Sequence, residues 1–287
     1  MKKIFLSLLL AAAVSAPLAS CANNRKEEAA DKPKIAVSIP PQADFIKNIC
    51  GDSVEIITVI PAGYSPETYE PAPRDIEKLN EADIYFTIGV PAEQSNILPN
   101  VKELEVYDLA EKCAETYPEL TLGEERDPHI WLSARRAALM TKLITERLSE
   151  LCPEMSQTFS AGSSSYTEKI TSASAEASEI LSSAKNKDFI VFHPAFGYFA
   201  DEYGLIMTAL EEEGKEATAS RLAQLADMAE TKGITAIFYQ QETDGHQARA
   251  FAEEIGGKAV PLSPLAEDYT ENLIRMAKAI AGADNTE

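Results

Sequence analysis

A strand-free stretch in the middle of the chain constrains the fold more than any other sequence feature. From Glu154 to Ala184 the apolar residues recur every three, four or seven positions, which predicts one long helix with a narrow apolar face. About 30 residues at about 1.5 Å each would span about 45 Å. Ala161–Ser165 has poor helix propensity, so a break into two helices is the alternative.

On both sides of this stretch, short apolar segments alternate with amphipathic ones. The alternation predicts two α/β lobes, each a mainly parallel sheet flanked by helices, joined by the long helix. The expected boundaries are 34–152 for the first lobe, 153–186 for the linking helix and 187–287 for the second lobe. The predicted strands are 34–39, 54–60, 82–88, 101–106, 188–192, 205–210, 234–239 and 258–262. The other predicted helices are 42–50, 74–80, 134–151, 195–203, 220–232, 244–255 and 268–281.

The N-terminal segment has the pattern of an export signal. Two lysines, an apolar run and Leu-Ala-Ser-Cys at 18–21 predict a signal peptide over 1–20, with cleavage before Cys21 and lipidation of its thiol. An ordinary secretory signal is the alternative. Residues 21–33 are polar and predict a flexible tether. We therefore expect an exported protein of the bacterial cell envelope, lipid-anchored to a membrane.

Charge and cysteine content narrow the choice of partners and compartment. With 26 basic and 46 acidic residues the formal net charge is −20, which argues against nucleic acid and against polybasic contact with a membrane. Such a charge suits an exported protein that attracts cations. Besides Cys21, the chain has Cys50, Cys113 and Cys152. One disulfide and a free thiol could form in an oxidising compartment, but the sequence does not select the pair.

Two of the three histidines lie beside prolines at places where ligands commonly bind. His193 directly follows the strand 188–192, and Glu67 lies in the loop after the strand 54–60; ligands of parallel sheets bind beyond such strand ends. His129 lies in a loop that enters a helix. Loops from both lobes could therefore converge on a cleft. Two imidazoles and a carboxylate are a suitable ligand set for Zn²⁺, or for Mn²⁺ or Fe²⁺.

Structural roles compete with ligand roles for these residues. His129 could cap a turn, His193 could be a hydrogen-bonded core histidine, and Glu67 could be a solvated loop acid. His246 is a further candidate ligand, although its polar surroundings favour a surface position. Glu211–Glu213 is predicted to form a solvated turn, whereas Trp131, the only tryptophan, is predicted to lie in the core beneath the His129 loop.

A series of short segments, in order and with consistent spacing, resembles the cluster A-I metal-binding lipoproteins of ABC importers, the zinc/manganese family. The resemblance covers essentially all of 34–283 and implies two α/β lobes joined by a long helix. It also implies a divalent metal ion held in the interlobe cleft, delivery to an ABC permease in the membrane, and a monomer. The matching segments are Gly63–Pro71, Arg74–Ile76, Asp127–Leu132, Phe192–Pro194, Tyr198–Phe199, Tyr203–Leu205, Glu212 with Gly214–Glu216, Phe238–Glu242, Pro264–Leu265 and Asp268–Tyr269.

The resemblance assigns ligand positions and shows two departures. His129 and His193 fall on the second and third ligand positions of the family, and a histidine at the third is typical of zinc members. Zinc is therefore expected, with manganese or iron(II) as the alternative. Glu67 occupies the first position, where the family has a histidine. Ser263 stands where the fourth ligand is usually an aspartate, so water, Glu242 or His246 could substitute.

Two other functional classes compete with metal transport. An adhesin or structural lipoprotein could keep the fold and lose tight metal binding. A zinc hydrolase would need an open metal position and a general base, for which Glu67 or Glu242 could serve. The sequence contains no HExxH, GxSxG or Gly-rich phosphate loop, so an enzyme is not expected. Because the long helix of the family resists hinge bending, we expect only modest movement of the lobes.

Overall fold

Two parallel sheets organise the computed structural model, which describes residues 32–211, 217–242 and 245–282. The predicted signal peptide at 1–20, the predicted lipidation site Cys21 and the tether up to Asp31 lie outside the described residues. Residues 212–216, 243–244 and 283–287 also lie outside the described residues. They include all of the matching segment Glu212 with Gly214–Glu216 and the predicted start of the helix 244–255. Among the helices that are described, none is long and apolar enough to cross a membrane.

The two sheets have the same strand order although their sequences show no repeat. In each of these four-stranded sheets the first strand lies between the second and third, and all neighbouring strands are parallel. The topological switch point, where ligands of such sheets bind, is therefore equivalent in the two lobes. The first sheet contains β1 (Lys34–Val37), β2 (Glu55–Thr58), β3 (Ile84–Thr87) and β4 (Val106–Asp108), followed by a short antiparallel pair, β5 (Thr121–Leu122) and β6 (Glu125–Arg126). The second contains β7 (Asp188–Val191), β8 (Ile206–Ala209), β9 (Ala236–Gln240) and β10 (Lys258–Leu262).

The predicted helices appear in the predicted order, with local differences at their ends, and one helix, Leu109–Ala114, was not predicted. Pro40 and Pro41 begin the helix that follows β1, two residues earlier than predicted, because proline is well tolerated in the first helical turn. Ser133 caps its helix as predicted, since its side chain accepts a hydrogen bond from the Arg136 N–H. The helices are α1 (Pro40–Cys50), α2 (Pro73–Leu79), α3 (Leu109–Ala114), α4 (Ala134–Leu151), α5 (Ser156–Ser182), α6 (Gly197–Tyr203), α7 (Ala219–Lys232), α8 (His246–Glu254) and α9 (Tyr269–Gly282).

The long linking helix α5 is continuous, so the alternative with two helices was wrong. It packs against α1 and α4 of the first lobe and α9 of the second. A Cβ atom at Gly162 would lie 2.3 Å from the Ile49 carbonyl oxygen and 2.8 Å from that of Asn48. Gly162 therefore allows the backbone of α5 to approach the end of α1 closely. Gly162, which lowers the local helix propensity, is therefore needed for the packing of α5 against α1.

The strand predicted at 101–106 was wrong except for its last residue. The observed strand β4 begins at Val106, and the preceding residues form a turn in which the Leu104 N–H bonds to the Lys102 carbonyl. Val101 and Leu104 are partly buried and pack against the core from this turn. Their apolar pattern therefore reflects burial of a loop and not a strand.

The three cysteines of the described residues are free thiols. Cys50, Cys113 and Cys152 are all buried and unpaired. Burial raises the pKa of Cys50 and of Cys113 to about 12. Buried thiols of such high pKa are poor nucleophiles and poor metal ligands, so these residues belong to the core.

Candidate metal centre

The structure brings Glu67, His129 and His193 together where loops of the two lobes meet. One ligand atom of each residue lies within 4.8 Å of those of the other two. Glu67 lies in the loop between β2 and α2, and His193 follows β7 by two residues. His129 precedes a single helical turn that begins at Ile130. Both histidines are buried, whereas Glu67 is partly exposed.

The Nε2 atoms of the two histidines face the same carboxylate oxygen. His193 Nε2 lies 2.7 Å from Glu67 Oε1, and His129 Nε2 lies 3.8 Å from the same atom. The two imidazole rings are 5.5 Å apart between centroids and inclined by 70°. Two nitrogen donors and one oxygen donor, which come from opposite lobes, therefore point towards a common volume.

The Nδ1 atoms are each occupied by a different carboxylate. Asp127 Oδ1 lies 2.8 Å from His129 Nδ1 and accepts the His129 backbone N–H at 2.9 Å. Glu211 Oε2 lies 2.7 Å from His193 Nδ1. A carboxylate that accepts an Nδ1–H leaves the Nε2 lone pair of that ring available to a metal ion. The arrangement is that of imidazoles prepared to coordinate through Nε2.

The prediction that Glu211 belongs to a solvated turn was wrong. Its side chain is only 17% exposed and is bonded to His193. Glu211 is brought there because β8 pairs with β7, and its N–H donates to the Phe192 carbonyl at 3.0 Å just beyond the paired strands. Its position directly after a predicted strand was the one available signal, because adjacent parallel strands end at the same edge of a sheet.

Hydrogen bonds and charge set the protonation of the metal-free centre. Burial lowers the pKa of His193, but its hydrogen bonds to Glu211 and Glu67 raise it more, to about 9. Burial raises the pKa of Glu67, but the hydrogen bond to His193 and the nearby imidazoles lower it below its usual value. His193 is therefore an imidazolium held between two carboxylates at neutral pH.

The loop that carries Glu67 is held by the segment that follows β3. The Ala92 N–H donates to the Pro66 carbonyl at 3.0 Å, one residue before Glu67. The Asn96 side-chain amide donates to the Tyr69 carbonyl at 2.9 Å. These two bonds connect both sides of the Glu67 position to a single supporting segment.

A buried glutamate, which the sequence did not single out, organises this supporting segment. Glu93 is fully buried and accepts the N–H groups of Ile88 at 2.8 Å and Gly89 at 2.7 Å, together with the Ser38 hydroxyl. Burial raises the pKa of Glu93 to about 7 against the opposing effect of these hydrogen bonds. Glu93 thus ties the ends of β1 and β3 to the turn beneath the Glu67 loop.

Trp131 lies in the core beneath the His129 loop, which confirms that prediction. It is fully buried, and its ring centroid is 5.3 Å from that of His129. Its indole N–H donates to the Pro264 carbonyl of the second lobe at 2.8 Å. A small cavity beside Glu67 and His129 is also lined by Trp131 and Gln240.

Two candidates for the fourth ligand, Glu242 and His246, do not belong to the group of three in the described part of the chain. Ser263 donates its hydroxyl to Glu242 Oε1 at 3.3 Å, and burial raises the pKa of Glu242. The other carboxylate oxygen of Glu242 is buried and has no hydrogen-bond partner among the described residues. His246 begins α8 and is exposed. Ser263 and Glu242 therefore lie side by side, and neither Glu242 nor His246 belongs to the group of Glu67, His129 and His193 among the described residues.

Sequence comparison relates the chain to zinc-uptake proteins. The model of the family described as zinc-uptake complex component A, periplasmic (ZnuA) matches residues 35–283. The zinc-binding lipoprotein AdcA of Streptococcus pneumoniae is 31% identical over 290 residues, which cover 94% of this chain and 56% of AdcA. The high-affinity zinc uptake system protein ZnuA of Bacillus subtilis is 28% identical over 286 residues, covering 92% of this chain and 90% of that protein. The chain spans about half the length of the AdcA relatives it matches.

Solved structures agree with this relationship. A crystal structure of ZnuA superposes with a TM-score of 0.83 at 33% identity, covering 88% of this chain and 100% of that chain. The Zn(II)-bound ZnuA-like domain of S. pneumoniae AdcA superposes with a TM-score of 0.74 at 28% identity, covering 89% of this chain and 100% of that domain. The chain thus belongs to the ZnuA family of zinc-uptake components, whose members are solute-binding proteins and not enzymes.

Proposed function

We propose that this protein captures Zn²⁺ as its cargo between the two lobes, with Glu67, His129 and His193 as protein ligands. The observation that carries the proposal is the convergence of both Nε2 atoms on the Glu67 carboxylate. The Nδ1 atoms are bonded to Asp127 and Glu211, so each imidazole is oriented for coordination through Nε2.

The chemistry of the donors supports zinc over harder ions. Two imidazoles and one carboxylate are a ligand set that zinc accepts well, whereas manganese and iron(II) are favoured by sets richer in oxygen. The names of the AdcA and ZnuA relatives support the same choice. Zinc is usually four-coordinate in proteins, and its remaining ligand here comes from solvent, Ser263, Glu242 or His246.

Each residue of the centre has a separate role in capture. The ionised Glu67 supplies negative charge and the two histidines supply nitrogen donors. Asp127 and Glu211 keep the imidazoles in the tautomer that presents Nε2. In the metal-free protein the His193 proton occupies the space between this ring and Glu67, so the ion and the proton compete for the same atom.

The rest of the chain supports a role in import. Cleavage after residue 20 and lipidation of Cys21 would anchor the protein to a membrane of the cell envelope, with 21–33 as the tether. The first lobe (34–152), the linking helix (153–186) and the second lobe (187–287) would act as a monomer that delivers the ion to an ABC permease. Replacement of Cys21 by alanine should release the protein from the membrane fraction, and retention there would refute the lipid anchor.

Direct metal binding tests the proposal. The chain from Lys32 onward forms one compact unit and suits calorimetry and metal analysis with zinc, manganese and iron(II). We expect one zinc per chain and weaker binding of the other two ions. Glu67→Ala should weaken zinc binding, whereas Glu70→Ala, an exposed acid of the same loop, should not. Absence of zinc binding would favour the adhesin or structural alternative, and preference for manganese or iron(II) would change the cargo.

A further inference from the structure

The carboxylate of Asp127 occupies the space that a side chain at Gly197 would need. A Cβ atom added to Gly197 would lie 2.5 Å from Asp127 Oδ2 and 3.8 Å from Asp127 Cγ. Non-bonded carbon and oxygen atoms are in favourable contact at about 3.5 Å or more, so the first distance is a steric overlap. The backbone of Gly197 is not in the left-handed region, so the close approach is what requires glycine.

Asp127 cannot easily move away from Gly197. It is only 1% exposed, and its Oδ1 accepts two hydrogen bonds from His129, one from the backbone N–H and one from Nδ1. Its own N–H donates to the Leu120 carbonyl at 2.8 Å. Displacement of the carboxylate would therefore break the bonds that orient the His129 imidazole.

The contact joins the two lobes at the metal centre. Asp127 and His129 belong to the first lobe, whereas Gly197 begins α6 of the second lobe and lies four residues after His193. We infer that Gly197 is a positioning residue for the metal centre. Because it has no side chain, the second lobe leaves room for the Asp127 carboxylate, which orients His129. One segment, His193–Gly197, then supplies one imidazole and supports the other. The expected effect on zinc affinity rests on the proposed function.

The test is a double-mutant cycle on zinc affinity. Loss of a group that orients a metal-ligating histidine typically weakens metal affinity 10–100-fold. We expect Gly197→Ala and Asp127→Ala each to weaken zinc binding at least about tenfold. In the Asp127→Ala background, Gly197→Ala should have less than about a twofold further effect, because the added methyl group then has room. Gly282→Ala is the matched control, since a Cβ there meets no atom within 4 Å.

A second readout separates positioning from general loss of stability. The ¹⁵N shifts of the His129 ring in the metal-free protein report its tautomer, and three histidines make assignment simple. Gly197→Ala should change these shifts and Gly282→Ala should not. If Gly197→Ala unfolds the protein, Asp127→Ala should restore folding in the double variant, as measured by thermal unfolding.

Several outcomes would overturn the inference. They are additive effects of Gly197→Ala and Asp127→Ala on affinity, an unchanged His129 ring in Gly197→Ala, and a folding defect of Gly197→Ala that persists in the double variant. Failure of the wild-type protein to bind zinc would refute the proposed function instead. In that case the ring shifts of the metal-free protein still decide whether Gly197 positions His129.

Discussion

Zinc binding should release close to one proton from His193 at pH 7. Its hydrogen bonds to Glu211 and Glu67 outweigh burial and raise its pKa to about 9. At pH 7, two units lower, about 99% of His193 carries the proton in the metal-free protein. Because zinc binds only the deprotonated Nε2, each pH unit below 9 weakens the observed affinity about tenfold, or by about 1.4 kcal/mol. Because half of His193 is already protonated at pH 9, the affinity should fall about 50-fold between pH 9 and pH 7.

Calorimetry measures this proton directly. Zinc titrations at pH 7 in buffers of different ionisation enthalpy give the number of protons released, which we expect to be close to one from this residue. Competition with a chelator from pH 7 to 10 gives the slope of log affinity against pH, which should be about one and then level off above pH 9.

Glu211→Gln provides the matched variant. It removes one of the two carboxylates that raise the pKa of His193, so the slope should level off at a lower pH and fewer protons should be released at pH 8. An affinity that does not change between pH 7 and 9, with no proton released, would refute the reasoning. It would mean that His193 either does not carry the proton or does not bind the metal.

Three further predictions concern the ligands, the linking helix and the metal-free protein. His129→Ala or His193→Ala should weaken zinc binding at least about tenfold by calorimetry, because each removes one of two nitrogen donors; unchanged affinity for both would place the site elsewhere. Gly162→Ala should lower the free energy of unfolding by about 1–3 kcal/mol through overpacking, although alanine is favoured over glycine by about 1 kcal/mol in a free helix. The control Ser165→Ala, at an exposed position of the same helix, should not lower it. Denaturant titration followed by Trp131 fluorescence measures both variants. The raised pKa of His193 stabilises the metal-free fold, fully so below pH 6.5. About 3 kcal/mol of this stabilisation should be lost as the pH rises from 6.5 to 9. Denaturant titrations that show no such loss would contradict the raised pKa of His193.

Local patterns predicted most of the architecture because they reflect interactions between residues close in sequence. The periodicity of 154–184 predicted the linking helix, and the alternation on either side predicted the two parallel sheets. The same reasoning from apolar patterns failed where apolar residues are buried without forming a strand or a helix. The apolar residues Val101 and Leu104 are partly buried in a turn, and nothing in their spacing distinguishes that turn from a strand.

Which side chains could act as ligands was readable from local sequence, because a histidine beside a proline in a loop next to a strand or helix is a local signal. The more distant groups that orient these ligands became visible only in the folded protein. Glu211 contacts His193 only because β7 and β8 pair. Gly197 lies against the Asp127 carboxylate only because the two lobes pack together there. Such contacts depend on strand order and on the packing of distant segments, and the separation of residues along the chain carries no information about either.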